Sequence, residues 1–239
     1  MVKKYKRDSE VSYTLGTTLT FELLNNKPNI VNKIYIHPSL KKDETYDKLI
    51  NLCKKNNISF EEAIKPFNIL SSKENCYVIG EFTKYEDNVE NDNHVVLVNP
   101  SDAGNLGTIM RSSLGFGINN LVIIEPAVDH FNPKVIRSSM GARFSINVET
   151  FSSFDDYYRK YPQRDIYTLM LQAKVNLSEI EPSNKNYSLV FGNEATGLPH
   201  EFLNIGTPVI IKHSNKIDSL NLPIAVSITL YEFTKERFK

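Results

Sequence analysis

The sequence predicts an α/β fold: a doubly wound parallel sheet over residues 91–239, preceded by a small α/β unit over residues 1–90. Three observations lead there. Through the second half, short apolar stretches of strand length alternate with stretches whose apolar residues recur at helical spacing. The first of those strands, HVVLVNP, runs Val95, Val96, Leu97, Val98, apolar on both faces as a strand buried inside a parallel sheet must be. Ahead of it, KYEDNVENDN is acidic, polar and free of apolar periodicity, which marks a linker and puts the boundary near Asn91.

In the first half, SYTLGTTLTFELLNN carries apolar residues at helical spacing and ends in an Asn pair, so a helix is expected. NKIYIHP then reads as a strand through Ile34 and Ile36. TYDKLINLCKKNN forms an amphipathic helix with Tyr46, Leu49, Ile50 and Cys53 on one side, stopped by a second Asn pair. A short strand ISFEEA, a loop with a helical turn around PFNILSS, and the strand CYVIGEF complete the unit.

The second half repeats one grammar. After HVVLVNP come the helix NLGTIMRSSLGFG, the strand NLVIIEP, the helix KVIRSSMGARF, the strand INVETF and the helix FDDYYRKY. The strands IYTLMLQ and YSLVFGN follow, then a short helix PHEFLN, the strand TPVIIKH and the helix PIAVSITLYEFTKERF. Such a sheet takes its ligands at the carboxyl ends of the strands.

Composition removes several classes. The chain has 239 residues, 41% hydrophobic and 23% charged, enough for proper cores in two units and unlike a disordered chain. No run approaches the roughly 18 apolar residues of a membrane span, and MVKKYKRDSE lacks the apolar stretch of a secretory signal, so a cytoplasmic protein is expected. Cys53 and Cys76 sit in helical or hydrophobic context, which predicts buried reduced thiols rather than a disulfide framework, and no metal site is expected. Lys plus Arg number 28 and Asp plus Glu number 28, so a nucleic-acid face has to be local. The run Lys3, Lys4, Tyr5, Lys6, Arg7 could touch phosphate or be a solvated terminus.

Three segments, each where a strand gives way to a helix, carry the polar residues of interest. In SDAGNLGTIMR a turn-rich loop opens a helix, where free N–H groups favour anions, and Arg111 follows Asn105 by about a turn and a half. The simplest alternative is an Asp102 cap with Arg111 in a surface ion pair. The loop has neither the glycine spacing of a dinucleotide fingerprint nor the Gly-Lys-Ser/Thr of a phosphate loop, which counts against both classes. In YSLVFGNEATGLP a buried strand through Val190 and Phe191 runs into Gly192 and Asn193. Glu194 follows, and Gly197 allows a second excursion after which Leu198 and Pro199 lead into a helix. In VIIKHSNKIDSLNLP, Ser219 and Asn221 precede the last helix and either could be its cap, while Pro223 suits its first turn. His213 without a nucleophile or carboxylate motif beside it is weak evidence for a base.

Taken together these segments resemble the three signature motifs of the SpoU/TrmH branch of the SPOUT RNA methyltransferases. The first is similar in Asn105, Gly107, Arg111, Phe116 and Gly117, the second in Gly192, Glu194, Gly197 and Leu198, the third in Ile211, Ser219, Leu220 and Asn221. FNPKVIRSSMGARF is similar to the family's middle segment, and the first 90 residues look like the small RNA-binding domain found ahead of that catalytic domain. The third motif departs from the family's Ile-Pro-Met pattern, reading Ile211, Lys212, His213, Ser214, Asn215.

The resemblance implies a trefoil knot in the C-terminal domain, a homodimer, and methyl transfer from S-adenosylmethionine to a ribose 2'-hydroxyl in RNA, leaving S-adenosylhomocysteine. It implies catalytic roles for Arg111, Asn105, Glu194, Ser219 and Asn221, and cofactor contacts from Val190, Phe191, Gly192, Asn193, Gly197, Leu198, Ile211 and Leu220. Ribosomal RNA is the favoured substrate, with transfer RNA the second candidate. An RNA-binding or ribosome-assembly factor that keeps the fold without efficient transfer is the alternative from another class.

Overall fold

A computed structural model describes residues 2–71, 75–182 and 185–238. The chain forms two compact units: Met1–Tyr85 with Asp129–Ser145, and Glu86–Val128 with Ile146–Lys239.

The first unit runs β1 (Val11–Leu15), α1 (Thr17–Asn26), β2 (Val31–Ile36), α2 (Glu44–Lys55), β3 (Phe60–Glu62), α3 (Lys65–Leu70) and β4 (Val78–Thr83). Its sheet order is β1-β4-β2-β3, with β4 antiparallel to β1 and β2 and β3 parallel to β2. The expected helix over SYTLGTTLTFELLNN is therefore a strand followed by a helix. Val11–Leu15 is β-branched and aromatic in content, and Gly16 at φ 132° breaks the chain into two elements. The turn expected around PFNILSS is present as α3, although Ser72 lies outside the described residues. Asp43 caps α2 by accepting from the N–H groups of Thr45 and Tyr46.

The second unit contains β5 (His94–Val98), α4 (Ala103–Gly115), β6 (Asn120–Ile124), β7 (Asn147–Phe151), α6 (Phe154–Lys160), β8 (Asp165–Leu169), β9 (Val175–Asn176), β10 (Tyr187–Phe191), β11 (Thr207–Ile210) and α7 (Leu222–Thr234). Seven strands lie in the order β7-β6-β5-β10-β8-β11-β9 and every pairing is parallel. This is the doubly wound sheet read from the sequence. All five residues of β5, β6 and β10 are buried, as the apolar runs Val95–Val98, Leu121–Ile124 and Leu189–Phe191 within them require. The strand order reverses between β5 and β10, so the loops leaving their carboxyl ends flank the natural ligand crevice. The sequence did not signal β9, a two-residue edge strand. Among the described residues no helix is long and apolar enough to cross a membrane.

One segment falls elsewhere than expected. Residues 129–145, assigned from sequence to the second unit, pack with the first, and the helix expected over KVIRSSMGARF stops early. Here α5 (Pro133–Ser138) ends, Met140 and Gly141 take φ values of 52° and 91°, and Ala142–Phe144 makes one tight turn. A Cβ on Gly141 would stand 2.5 Å from the Glu22 Cγ, so that corner admits glycine. Arg143 is fully buried, its guanidinium 4.7 Å from the Tyr85 ring and 4.5 Å from the Phe131 ring, with its Nε donating to His130 Nδ1. Burial, with Arg143 beside it, pushes the His130 pKa well down, so that imidazole stays neutral and accepts.

A second buried histidine gives a pH prediction. His94 at the start of β5 bonds Tyr157 Oη at 2.9 Å and the Glu90 carbonyl at 2.7 Å. Burial pushes its pKa down from 6.5 to about 4, while the bond to the Glu90 carbonyl pulls the other way. A depressed histidine pKa contributes stability that is complete above 6.5 and is lost as pH falls toward about 4, because the unfolded chain takes the proton first. The loss should reach about 3 kcal/mol at the acid end. Urea midpoints measured from pH 7 to pH 4 should fall less steeply for His94→Gln than for the parent chain.

Candidate functional site

Two loops at the strand reversal are tied together by one carboxylate. Asp102 caps α4 by accepting from Asn105 N–H at 2.8 Å, which fixes the loop that leaves β5. Glu194, on the loop that leaves β10, takes four bonds from that loop. Its Oε2 accepts from Ser101 N–H at 3.1 Å and the Ser101 hydroxyl at 2.8 Å, and its Oε1 from Asp102 N–H at 3.1 Å and Asn105 Nδ2 at 3.3 Å. Asn193 adds a second tie, donating to the Asn99 carbonyl at 2.8 Å.

The β10 loop is itself closed tightly. Asn193 and Gly197 exchange backbone hydrogen bonds of 3.2 and 2.9 Å, and Gly197 sits at φ 69°. A Cβ on Gly192 would stand 2.0 Å from the Gly197 carbonyl carbon. The turn therefore crosses directly over Gly192.

Beside it opens a pocket of about 210 Å³, room for a small organic molecule rather than a few waters. Its walls are the carboxyl ends of three neighbouring strands and the approach to α7: Leu169–Gln172 after β8, 191–198 after β10, Val209–Ile211 and His213 after β11, and Ser219, Leu220, Leu222 and Ala225. Much of this lining is apolar, with Gln172, Asn193, Glu194, Thr196, His213 and Ser219 supplying polar groups. Apolar walls with a few placed polar groups suit a small organic ligand whose orientation those groups fix.

Burial by itself would raise the Glu194 pKa. The N–H groups of Glu194, Ser101 and Asp102 and the Ser101 hydroxyl outweigh it and hold the carboxyl below its ordinary value. Glu194 is thus an anion at neutral pH, already engaged on both oxygens, and acts as a clamp between loops. Glu194→Gln puts an amide N–H against one of those donors and should cost about 1 kcal/mol after allowance for partial exposure. Because the folded pKa is lowered, the difference from the parent chain should be complete at neutral pH and close as pH falls below 4.5, a comparison that urea titrations at both pH values check.

Of the residues singled out in the sequence, Phe191, Gly192, Asn193, Glu194, Gly197, Leu198, Ile211, Ser219 and Leu220 line this pocket. Asn105 reaches it only through Glu194. Val190 does not reach it: the side chain is 0% exposed and packs in the sheet core with Val96 and Val122, because strand alternation sends it to the opposite face. Asn221 stands at the N-cap of α7, exposed, with no side-chain cap bond. Arg111 is exposed on α4, outside the pocket wall. Asp102 makes the cap that the simplest alternative required, but among the described residues Arg111 has no ion pair to complete it. The β8 end, Leu222 and Ala225 were not expected. Nothing in IYTLMLQ marks its last residues as a binding edge, whereas His213 was visible as a lone histidine just after a strand.

Comparisons with known proteins fit this geometry. The model of a family described as the SpoU rRNA methylase family matches residues 92–231. An uncharacterized tRNA/rRNA methyltransferase of Synechocystis sp. is 31% identical over 147 residues, covering 60% of this chain and 53% of that protein. A 23S rRNA (guanosine(2553)-2'-O)-methyltransferase of Bacillus subtilis is 31% identical over 137 residues, covering 54% of this chain and 53% of its own length. The chain thus spans about half the length of these two curated relatives. Among solved structures, an AdoMet-bound rRNA methyltransferase from Sinorhizobium meliloti superimposes with a TM-score of 0.81 at 22% identity, covering 96% of this chain and 88% of that one, a likeness of fold.

Proposed function

The chain belongs to the SpoU rRNA methylase family, and on that premise we propose that it transfers a methyl group from S-adenosylmethionine to a ribose 2'-hydroxyl in RNA. The observation that carries the reading is the convergence of the second and third motif segments on one pocket, to which Glu194 fastens the loop of the first. When bound, S-adenosylmethionine supplies a methyl group already activated by its sulfonium, so the chain has to hold that donor, place the sugar in line and manage one proton. The main chain and aliphatic groups around Gly192, Ile211 and Leu220 would hold it, and the orphan buried Nε2 of His213 in the same wall fits a ligand with N–H groups. We also propose the family's knot in this domain, supported by the pocket being built from three loops around β10 and β11.

Arg111 is the residue we assign to the sugar. A guanidinium with a pKa above about 12 is not a proton acceptor at neutral pH, so its role is to grip the target's phosphate and ribose and to lower the cost of negative charge on the 2'-oxygen. The proton leaves to phosphate or water. Ser219 in the pocket wall and Asn221, an N-cap residue whose side chain makes no cap bond, would orient the nucleotide.

A second copy of the chain would bring Arg111 to the donor. On α7 the side chains of Ile224, Ile228 and Tyr231 are 52%, 38% and 57% exposed, and their spacing puts them on one helix face. Ser112, next to Arg111, bonds Ser227 of α7 at 3.0 Å, so the apolar stripe and the free guanidinium share a surface. A homodimer about a two-fold axis covers the stripe and sets Arg111 of one copy at the pocket of the other.

We favour ribosomal RNA as substrate, with transfer RNA second. The support is the name of the Bacillus subtilis relative and a separate first unit with a basic run at its start, Lys3, Lys4, Lys6 and Arg7, on a chain without net charge. Two buried free cysteines suit work in the reducing cytoplasm. The test is incubation of unmodified ribosomal and transfer RNA with donor labelled in the methyl group, followed by alkali. A methylated 2'-oxygen cannot attack the neighbouring phosphate, so label in alkali-stable dinucleotides is the expected result. Label in mononucleotides, or none, overturns the reading.

A further inference from the structure

His213 stands where the similar family pattern has an apolar residue, and its chemistry is legible from its contacts. Its Nδ1 lies 3.1 Å from the Ser214 carbonyl oxygen, which can only accept, so Nδ1 carries the ring proton and donates. In the neutral ring the other nitrogen, Nε2, is then a lone-pair acceptor. It is buried, has no hydrogen-bond partner, and belongs to a side chain that lines the pocket. A buried acceptor left unpaired is costly, and in a pocket wall a ligand's N–H is the group that satisfies it.

The sheet order says which N–H. His213 follows β11 and Glu194 follows β10, with β8 between the two strands, so the two residues enter the pocket wall from strands that are not neighbours. A methyl donor of the class proposed above has two nitrogen donors, a charged ammonium and the neutral exocyclic amine of its adenine. An ammonium finds little in this wall, whose carboxylate, Glu194, is already engaged by the 101–105 loop, while Ile211, Leu220, Leu222 and Ala225 offer apolar surface. A flat neutral ring matches that surface, and its amine matches a neutral acceptor.

We infer that His213 reads the adenine amine of the bound donor through Nε2, selecting adenosyl over inosyl ligands. The inference rests on the methyl-donor reading. It is tested by calorimetric titration of the full chain with S-adenosylhomocysteine and with S-inosylhomocysteine, in which an oxo group replaces the amine. The chain as it is should prefer the adenosyl compound by at least about tenfold, since one unpaired acceptor facing a carbonyl oxygen costs that much. His213→Phe keeps a flat ring without the acceptor and should weaken adenosyl binding about tenfold while leaving inosyl binding nearly unchanged, so the preference collapses. His213→Gln, whose amide oxygen reaches about as far as Nε2, should restore most of the preference. A preference that stays the same in His213→Phe, with thermal midpoints showing that it folds, overturns the assignment and leaves the methyl-donor reading standing. Failure of the unsubstituted chain to bind either compound overturns the methyl-donor reading, and the role of His213 with it.

Discussion

Arg111→Ala should lower methyl transfer to RNA by about 10² to 10³-fold while leaving donor affinity unchanged, as expected when one preorganised charge that acts on the developing oxyanion is removed. The structure separates the two effects. Arg111 is exposed on α4 and contributes nothing to the pocket wall, so its loss leaves the 191–198 and 209–213 segments as they are. With no ion pair to lose among the described residues, its replacement should also move the thermal midpoint little. Arg111→Lys should recover only a small part of the activity, because an ammonium keeps the charge and loses the fork that holds phosphate and ribose together. Single-turnover rates with saturating donor measure the effect directly. An Arg111→Lys chain with near-normal turnover contradicts the bidentate grip.

Gly192→Ala should abolish donor binding. Its new methyl would stand 2.0 Å from the Gly197 carbonyl carbon and 2.2 Å from Leu198 N, and backbone at such distances has to move. The part that moves is the 193–197 turn, which the paired bonds between Asn193 and Gly197 hold over the pocket. Overpacking of this kind costs about 1–3 kcal/mol, which a chain with two well-buried cores should survive. Donor affinity should fall by at least about 100-fold, because the wall itself is displaced. Gly115 is the internal comparison: at the end of α4 a methyl meets nothing within 4 Å, so Gly115→Ala should leave folding and binding alone. Calorimetry with S-adenosylhomocysteine on both variants checks the contrast, and parent-like affinity in Gly192→Ala contradicts the pocket's geometry.

What the sequence could and could not reveal follows from the range of the forces involved. Strands β5, β6 and β10 are buried on both faces, so their apolar runs are continuous and the parallel sheet is legible in them. By contrast β1 is hidden, because its apolar residues continue smoothly into those of α1 and the break depends on one glycine's φ. The packing of residues 129–145 with the first unit is hidden for another reason. It rests on Arg143 meeting Tyr85 and on Glu22 meeting Gly141, contacts between residues far apart in the chain that leave no local pattern.

At the site the same division holds. Glycines at strand ends announced the 192–197 loop, since close backbone approach needs them. Glu194 was legible only as a candidate, and its four bonds to the 101–105 loop make it a clamp, a role that only three-dimensional pairing discloses. Val190 was placed in the pocket by its position in a motif, and strand alternation turns it inward instead. The exposure of Arg111 could not be read from helical spacing alone, because spacing says which face a residue occupies and not what covers that face.

The proposed reaction requires a centre shared by two copies of the chain, with the pocket from one and Arg111 from the other. Mixing Arg111→Ala chains with Gly192→Ala chains under conditions of subunit exchange measures this directly. Each variant alone should be inactive. Random pairing gives one intact centre in half of the dimers, so the mixture should recover roughly a quarter of the parent rate of methyl transfer to RNA. A mixture as inactive as its components, with exchange verified, contradicts the shared centre.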